Sequence, residues 1–172
     1  WILKNSINFH FLSYQMPLVK KGYPGFLPIN TIFQYPFISR KIAHVINTID
    51  PDIIHVHGTE GVYANVVKDF SGKTVISIQG IASKIFFIEP TAKLFFQIAI
   101  ERKAIKYGKF FGCRTKWDKE FVNKRNPKSI IYNMPEAIGY GFFKANWQYN
   151  PEHTTTLIFV GSITKRKGIL VL

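Results

Sequence analysis

The chain has 172 residues, of which 47% are hydrophobic and 16% aromatic, so it can bury a sizeable core and is not a disordered segment. Its 23 Lys and Arg residues against 10 Asp and Glu residues give a net charge of +13. That charge favours a negatively charged partner: a nucleic acid, an anionic membrane surface, or an acidic small molecule such as a nucleotide. The single cysteine, Cys113, excludes a disulfide framework and a Cys-based zinc site.

The positive charge is concentrated in residues 101–128. Because the chain has no Arg-rich tail and no Gly/Arg repeat, this concentration does not favour a nucleic-acid partner. No stretch is apolar enough to predict a membrane-spanning helix, and polar residues interrupt the first 20 positions, unlike a signal peptide. With only one cysteine, we expect a cytoplasmic protein. The first residue is Trp1 rather than Met, so we also expect the sequence to be part of a longer protein.

In the first half of the chain, a Pro- and Gly-rich stretch, "YPGFLPINTIFQYP" (23–36), predicts a long loop or irregular strand. Apolar residues then recur at helical spacing and predict a helix that ends at Asp50-Pro51; they are Ile38, Ile42, Val45, Ile46 and Ile49. "DIIHVHG" (52–58) and "KTVISIQG" (73–80) are β-branched runs that end in Gly and predict buried strands. Between them, "TEGVYANVVKDF" (59–70) predicts a helix.

In the second half, residues 81–90 predict an apolar loop and 91–107 a long helix that stops at Gly108. "KFFGC" (109–113) predicts a strand. Thr115 and Asp118 form a capping-box pattern that opens a helix over "KWDKEFVNKR" (116–125), and "SIIYN" (129–133) predicts a further strand. The passage 134–153 is loop-rich, and a last strand begins at Thr155 or Thr156.

Strands and helices therefore alternate, which predicts a mostly parallel, Rossmann-like α/β sheet flanked by helices. In such sheets ligands bind beyond the carboxyl ends of the strands. The candidate residues there, and in the loop after the fourth of these strands, are His57, Gly58, Gln79, Gly80, Arg114 and Glu136.

Three of these candidates also have a purely structural interpretation. His57 can be a packed or capping side chain, and we expect His55 to lie on the opposite face of the strand with a structural role. Arg114 can clamp a phosphate or form an ion pair with Asp118 or Glu120. Glu136 can bind a hydroxyl or be a solvated loop acid.

The tail "TTTLIFVGSITKRKGILVL" contains a strand that ends at Gly161, a basic turn, and a new apolar stretch. Gly161 and Ser162, with Lys167 and Gly168, would let backbone N–H groups and a lysine approach an anion. The spacing matches neither GxxxxGK[ST] nor GxGxxG. A solvated basic turn is the alternative.

The order of "PDIIHVHG", a strand closing on Gly80, "GCRTKWDKEFVNKRNP" and "LIFVGSITKRKGI" resembles the family 4 glycosyltransferases, most closely the bacterial members that build surface polysaccharides. The resemblance covers roughly residues 36 to 172. It implies the GT-B architecture of two Rossmann-like domains. Residues 1–153 would form the acceptor-side domain, shortened at its N-terminus, and 154–172 the first strand and turn of the donor-binding domain.

The resemblance further implies transfer of a sugar from a nucleotide-sugar to a glycan or lipid-linked acceptor, with retention of configuration and with neither metal nor cofactor. Gly161, Ser162, Lys167 and Gly168 match the donor-phosphate motif, with Ser162 where the family has Arg. Gln79 stands where many members carry His, which removes proton transfer at that position. The resemblance leaves the catalytic residues unidentified, and a chain ending at Leu172 would be inactive because its donor site is incomplete.

Two other interpretations remain. The chain can belong to another GT-B nucleotide-sugar enzyme such as an epimerase, or it can be a basic α/β module that binds a membrane surface or another polyanion. Within either the transferase or the module, the apolar loop 81–90, with Phe86, Phe87 and Lys84, can contact an anionic membrane peripherally. Packing of that loop on the following helix is the plainer alternative.

Overall fold

A computed structural model describes residues 2–4, 7–12, 29–137, 139–144 and 161. The chain divides into two compact units, Trp1–Met134 and Pro135–Leu172. This division differs from the sequence-based domain boundary at 153/154, which stays a prediction.

The first unit opens with a short antiparallel hairpin and a long helix. Strands β1 (Ile2–Lys4) and β2 (Ile7–Phe9) pair with Ile2 opposite Phe9. Helix α1 spans Ile29–Ile49 and contains Pro36. The predicted loop is therefore wrong for residues 29–36, and its earlier part, 23–28, lies outside the described residues. Pro36 has no backbone N–H, so the hydrogen bond to the Ile32 carbonyl is missing. Helix α1 continues through Pro36 because apolar residues recur at helical spacing on both sides of it.

A parallel sheet with its connecting helices forms the rest of this unit. In chain order these elements are β3 (Ile54–His57), a 3-10 helix (Val62–Val66), α2 (Val67–Phe70), β4 (Thr74–Ser77), α3 (Ala82–Ile85), α4 (Ala92–Tyr107), β5 (Phe110–Cys113), α5 (Lys116–Arg125) and β6 (Ile130–Asn133). The four strands lie in the order β3-β4-β5-β6, and all are parallel. The sequence analysis predicted all four strands and the two long helices after β4 and β5.

One face of this sheet carries the hydrophobic core. Val56, Ile76 and Phe111 stand in one row across β3, β4 and β5 and are buried. They join a single cluster with apolar side chains of the 3-10 helix, α2, α4 and α5. Because consecutive strands are neighbours, right-handed crossovers put every connecting helix on the same face. The chain thus has the Rossmann-like α/β fold that the alternation predicts.

Helix ends in this layer follow the sequence signals. The Thr91 side chain accepts a hydrogen bond from the Leu94 backbone N–H at 3.2 Å and caps α4. At the start of α5 the predicted capping box is confirmed: Thr115 Oγ1 accepts from the Asp118 N–H, and the Asp118 carboxylate accepts from the Thr115 N–H, both at 3.1 Å. These two caps fix where the chain turns from each strand into its helix.

Two segments differ from their predicted form. The stretch after β3 begins as a 3-10 helix before α2, where a single α-helix was predicted. Gly61 lies just before this 3-10 helix. The ring of Tyr63 occupies the space that a Cβ on Gly61 would need, which is consistent with the tighter winding of a 3-10 helix. The predicted loop 81–90 contains the one-turn helix α3.

In the second unit, a 3-10 helix spans Tyr140–Lys144 within the passage predicted to be loop-rich, and its residues are exposed. The predicted final strand lies outside the described residues.

Candidate functional site

The carboxyl ends of β3, β4 and β5 bring together the polar residues singled out from the sequence. The turn after β3 is fixed by Gly58, which is buried and has φ of +89°. Its N–H donates to the Ser77 carbonyl of β4 at 2.8 Å. The Glu60 carboxylate closes the turn by accepting from the Thr59 N–H at 2.8 Å. A Cβ on Gly58 would lie 2.7 Å from that carboxylate, which is the end of a flexible side chain, so it is the positive φ that requires glycine.

His55 and His57 lie side by side on the face of β3 opposite the core. Their ring centroids are 4.1 Å apart, so the expectation that His55 lies on the other face is wrong. Residues two apart in a strand point to the same face, and it is Val56 that points into the core. His57 is thus an exposed neighbour of a second imidazole rather than a packed side chain.

Ser77 of β4 completes this histidine cluster. His55 Nε2 lies 2.6 Å from Ser77 Oγ, which in turn lies 3.5 Å from Met134 Sδ. Partial burial, and then the neighbouring His57, lower the pKa of His55 below its ordinary value of 6.5. The neutral ring is therefore the form held at neutral pH. It offers one donor and one acceptor to a hydroxyl group.

Arg114 ties the end of β5 to the end of β4. Its guanidinium Nη2 donates to the Gln79 carbonyl at 2.7 Å, and its backbone N–H points to the Asp118 carboxylate at 3.3 Å. Asp118 is buried and serves the cap of α5. Glu120 lies 3.9 Å from Lys116 Nζ. The hydrogen bond to the Gln79 carbonyl therefore places the Arg114 guanidinium next to the turn of Gln79 and Gly80, where the Gln79 side chain is exposed.

A buried acid beneath this edge, Glu101, was not singled out by the sequence analysis. Glu101 is 1% exposed, and its Oε1 accepts from the Ser83 N–H at 3.3 Å. Within the described part of the chain, its Oε2 and the Ser83 Oγ are buried without a hydrogen-bond partner. Burial raises the carboxyl pKa above 4.5. The signal was present: Glu101 lies three residues after Ile98 and four before Ile105, on the apolar side of its helix.

The remaining candidates lie in the second unit. Glu136 and Gly161 are exposed. Ser162, Lys167 and Gly168 lie outside the described residues. The first unit thus gathers His57, Gly58, Gln79, Gly80 and Arg114 at one edge of the sheet.

No protein-family model, curated protein or solved structure matches this chain. Among the described helices none is long and apolar enough to cross a membrane. In the same residues no three His, Cys, Asp or Glu side chains are grouped so as to hold a metal ion.

A separate groove lies away from this edge, among the helices. It has a volume of about 500 Å³ and lies between α1, the 3-10 helix and α4, where Ser39, Asn65, Ile100 and Tyr107 are among its lining residues. Asn65 Nδ2 donates to Ser39 Oγ at 3.2 Å across it. Two of its polar groups thus contact each other, and its lining includes none of the candidate residues from the sequence analysis.

Proposed function

We propose that the chain is the acceptor-side domain, with the start of the donor-binding domain, of a nucleotide-sugar glycosyltransferase. The observation that carries the proposal is the set of His57, Gln79 and Arg114 side chains at neighbouring carboxyl ends of a parallel sheet, the edge where α/β folds bind ligands. The ordered resemblance to family 4 glycosyltransferases supports it.

The chemistry available at this edge suits binding of a sugar acceptor. An imidazole and an amide donate and accept hydrogen bonds with hydroxyl groups. The guanidinium of Arg114 provides planar N–H donors for a phosphate, such as that of a lipid-linked acceptor. The Gln79 amide cannot act as an acid or a base near neutral pH, so its role would be to position the acceptor.

The donor would be bound by the sequence around Gly161. In the proposed reaction the acceptor hydroxyl oxygen bonds to the anomeric carbon as the bond from that carbon to the nucleoside diphosphate breaks. The hydroxyl proton leaves with the departing phosphate. Lys167 and the backbone N–H groups after Gly161 would stabilise the negative charge that develops on the diphosphate. Catalysis would rest on holding the acceptor hydroxyl on the same face of the sugar as the departing diphosphate, as retention of configuration requires, and on that stabilisation.

The test uses the protein from its complete reading frame and a panel of nucleotide-sugars, with release of the nucleoside diphosphate and transfer to lipid and glycan acceptors as readouts. We expect turnover of one donor, a large loss of turnover in Lys167→Ala, and a rise in acceptor KM in His57→Ala. Lys128→Ala is the matched control, because Lys128 is exposed at the opposite, amino-terminal edge of the sheet. A protein indifferent to every donor would refute the proposal.

A second function, a polyanion-binding module, is favoured by the exposure of most basic side chains in 101–128. Eight of the ten are exposed: Arg102, Lys103, Lys106, Lys109, Lys116, Lys124, Arg125 and Lys128. This module would bind DNA or anionic lipid with an affinity that falls steeply with salt and does not respond to nucleotide-sugars. Measuring both responses on one preparation separates the two functions.

A further inference from the structure

The segment that follows β4 carries large apolar side chains into solvent. Phe87 is 84% exposed and Ile88 46% exposed in the turn after α3, and Phe95, in the first turn of α4, is 63% exposed. Trp117, in the first turn of α5, is 51% exposed. Single exposed apolar residues are ordinary, but several on neighbouring segments mark an interaction surface.

All four side chains belong to one edge of the sheet. β4 and β5 are parallel neighbours, so the turn after β4 and the start of α5 after β5 emerge on the same side. The hydrogen bond from Arg114 Nη2 to the Gln79 carbonyl joins the two segments directly. This apolar edge is therefore formed by residues 84–95 and 116–117, at the same end of the sheet as the candidate site.

Buried residues and backbone hydrogen bonds fix the turn that carries Phe87. Ile81 and Ala82 are buried, and the buried Glu101 of α4 accepts from the Ser83 N–H. The Phe86 N–H donates to the Ala82 carbonyl at 2.9 Å, and the Glu89 N–H donates to the Ile85 carbonyl at 3.0 Å. Phe87 is thus presented on an ordered turn.

Basic side chains accompany the aromatic ones. Lys84, Lys93 and Lys116 are exposed within the same segments. The acids on or beside these segments are Glu89, which is half-buried, Asp118, which is buried in the cap of α5, and Glu120, which lies 3.9 Å from Lys116 Nζ. Aromatic rings that enter the headgroup layer, with lysines that meet anionic headgroups, are the combination that binds a membrane surface without crossing it.

We propose that the apolar edge docks on an anionic lipid bilayer, with Phe87, Ile88, Phe95 and Trp117 entering the interface and Lys84, Lys93 and Lys116 contacting lipid phosphates. The candidate site then faces the membrane surface. The proposal does not depend on the glycosyltransferase proposal, because lipid binding requires neither a donor nor turnover.

Sedimentation of the protein from its complete reading frame with vesicles tests the proposal. We expect binding to vesicles of phosphatidylglycerol and phosphatidylcholine and little binding to phosphatidylcholine alone. Phe87→Ser should weaken binding by about tenfold, the effect of removing one aromatic ring from the interface. Replacing Lys84, Lys93 and Lys116 together by Gln should weaken it further and flatten its salt dependence.

Matched controls carry the same changes elsewhere. Phe37→Ser removes an aromatic side chain that is 51% exposed on α1, and replacing Arg40, Lys68 and Lys73 by Gln removes three exposed charges that lie outside both the apolar edge and residues 101–128. Both controls should bind vesicles like the wild type. The fluorescence that Phe87→Trp adds should be quenched by brominated lipid.

Three outcomes would overturn the proposal. One is no vesicle binding at all. Another is equal loss in the control variants, which would mean general charge attraction. The third is a dimer that Phe87→Ser converts to a monomer without any effect on vesicle binding, which would identify the edge as an interface between copies.

Discussion

Two adjacent phenylalanines in β5 should differ sharply in what they contribute to stability. Phe111 is 0% exposed and belongs to the core cluster, whereas Phe110 is half-buried on the opposite face, near the ring of Tyr132. Phe111→Ala removes a fully packed ring and should lower the free energy of unfolding by about 3–5 kcal/mol. Phe110→Ala removes a ring with part of its surface already in water and should lower it by about 1 kcal/mol.

The assay is urea unfolding followed by circular dichroism, with the same slope of free energy against urea required for all variants. Since small domains are stable by only about 5–15 kcal/mol, Phe111→Ala can fail to fold. In that case Phe111→Leu replaces it and should lower the free energy of unfolding by about 1–1.5 kcal/mol. Phe110→Leu is its comparison and should leave the free energy of unfolding nearly unchanged. Equal losses, or a greater loss at Phe110, would refute the register, because a shift of one residue in β5 exchanges its two faces.

Three further predictions concern buried or capping groups. Burial raises the pKa of the Cys113 thiol to about 11, so it should resist alkylation at pH 8 in the native protein and react at the rate of a free thiol in urea; rapid native reaction would contradict its burial. Thr115→Ala should lower the free energy of unfolding by about 1 kcal/mol while Thr115→Ser retains most of the cap, and equal losses in urea unfolding would argue against the capping box. The carboxyl of Glu101 has its pKa raised above 4.5 in the folded state, so its contribution to stability is fully present below that pH and is lost as the pH rises through the folded pKa. The advantage of Glu101→Gln over the wild type should therefore grow from pH 4 to pH 7 in urea unfolding, and an advantage that shrinks would contradict the buried charge.

The sequence predicted the sheet well because each strand is a short run rich in β-branched or aromatic residues with a clear end. Runs such as Val75 to Ile78 alternate too little to be half-exposed and are too short to be helices. The capping box of α5 could also be predicted, since both of its hydrogen bonds are local and their donors and acceptors are set by spacing alone.

Prediction failed where a longer-range effect outweighed a local rule. Pro36 indicates a helix break, yet helical spacing on both sides carries α1 through it. His55 is a different case, because local strand geometry places it on the same face as His57 and the prediction applied that rule wrongly. The apolar spacing of α4 indicates that Glu101 is buried, but the Ser83 N–H that its carboxylate accepts from is brought there by α3 packing against α4, a contact between segments that no local pattern encodes. The residues after Gly161, on which the proposed donor site rests, lie where the structure gives no description, so that part of the site stays a prediction.

The sequential strand order has a consequence for how the chain folds. Every strand of the sheet pairs with the next one along the chain, so each pairing can form as soon as one further βα unit has left the ribosome. The closures are unequal: 16 residues separate β3 from β4, whereas 32 separate β4 from β5. Each doubling of a loop adds about 0.6 kcal/mol to the entropy cost of closing it. Pairing of β5 onto β4, which must wait for the α3–α4 hairpin, is therefore the step expected to limit the rate of assembly of this sheet.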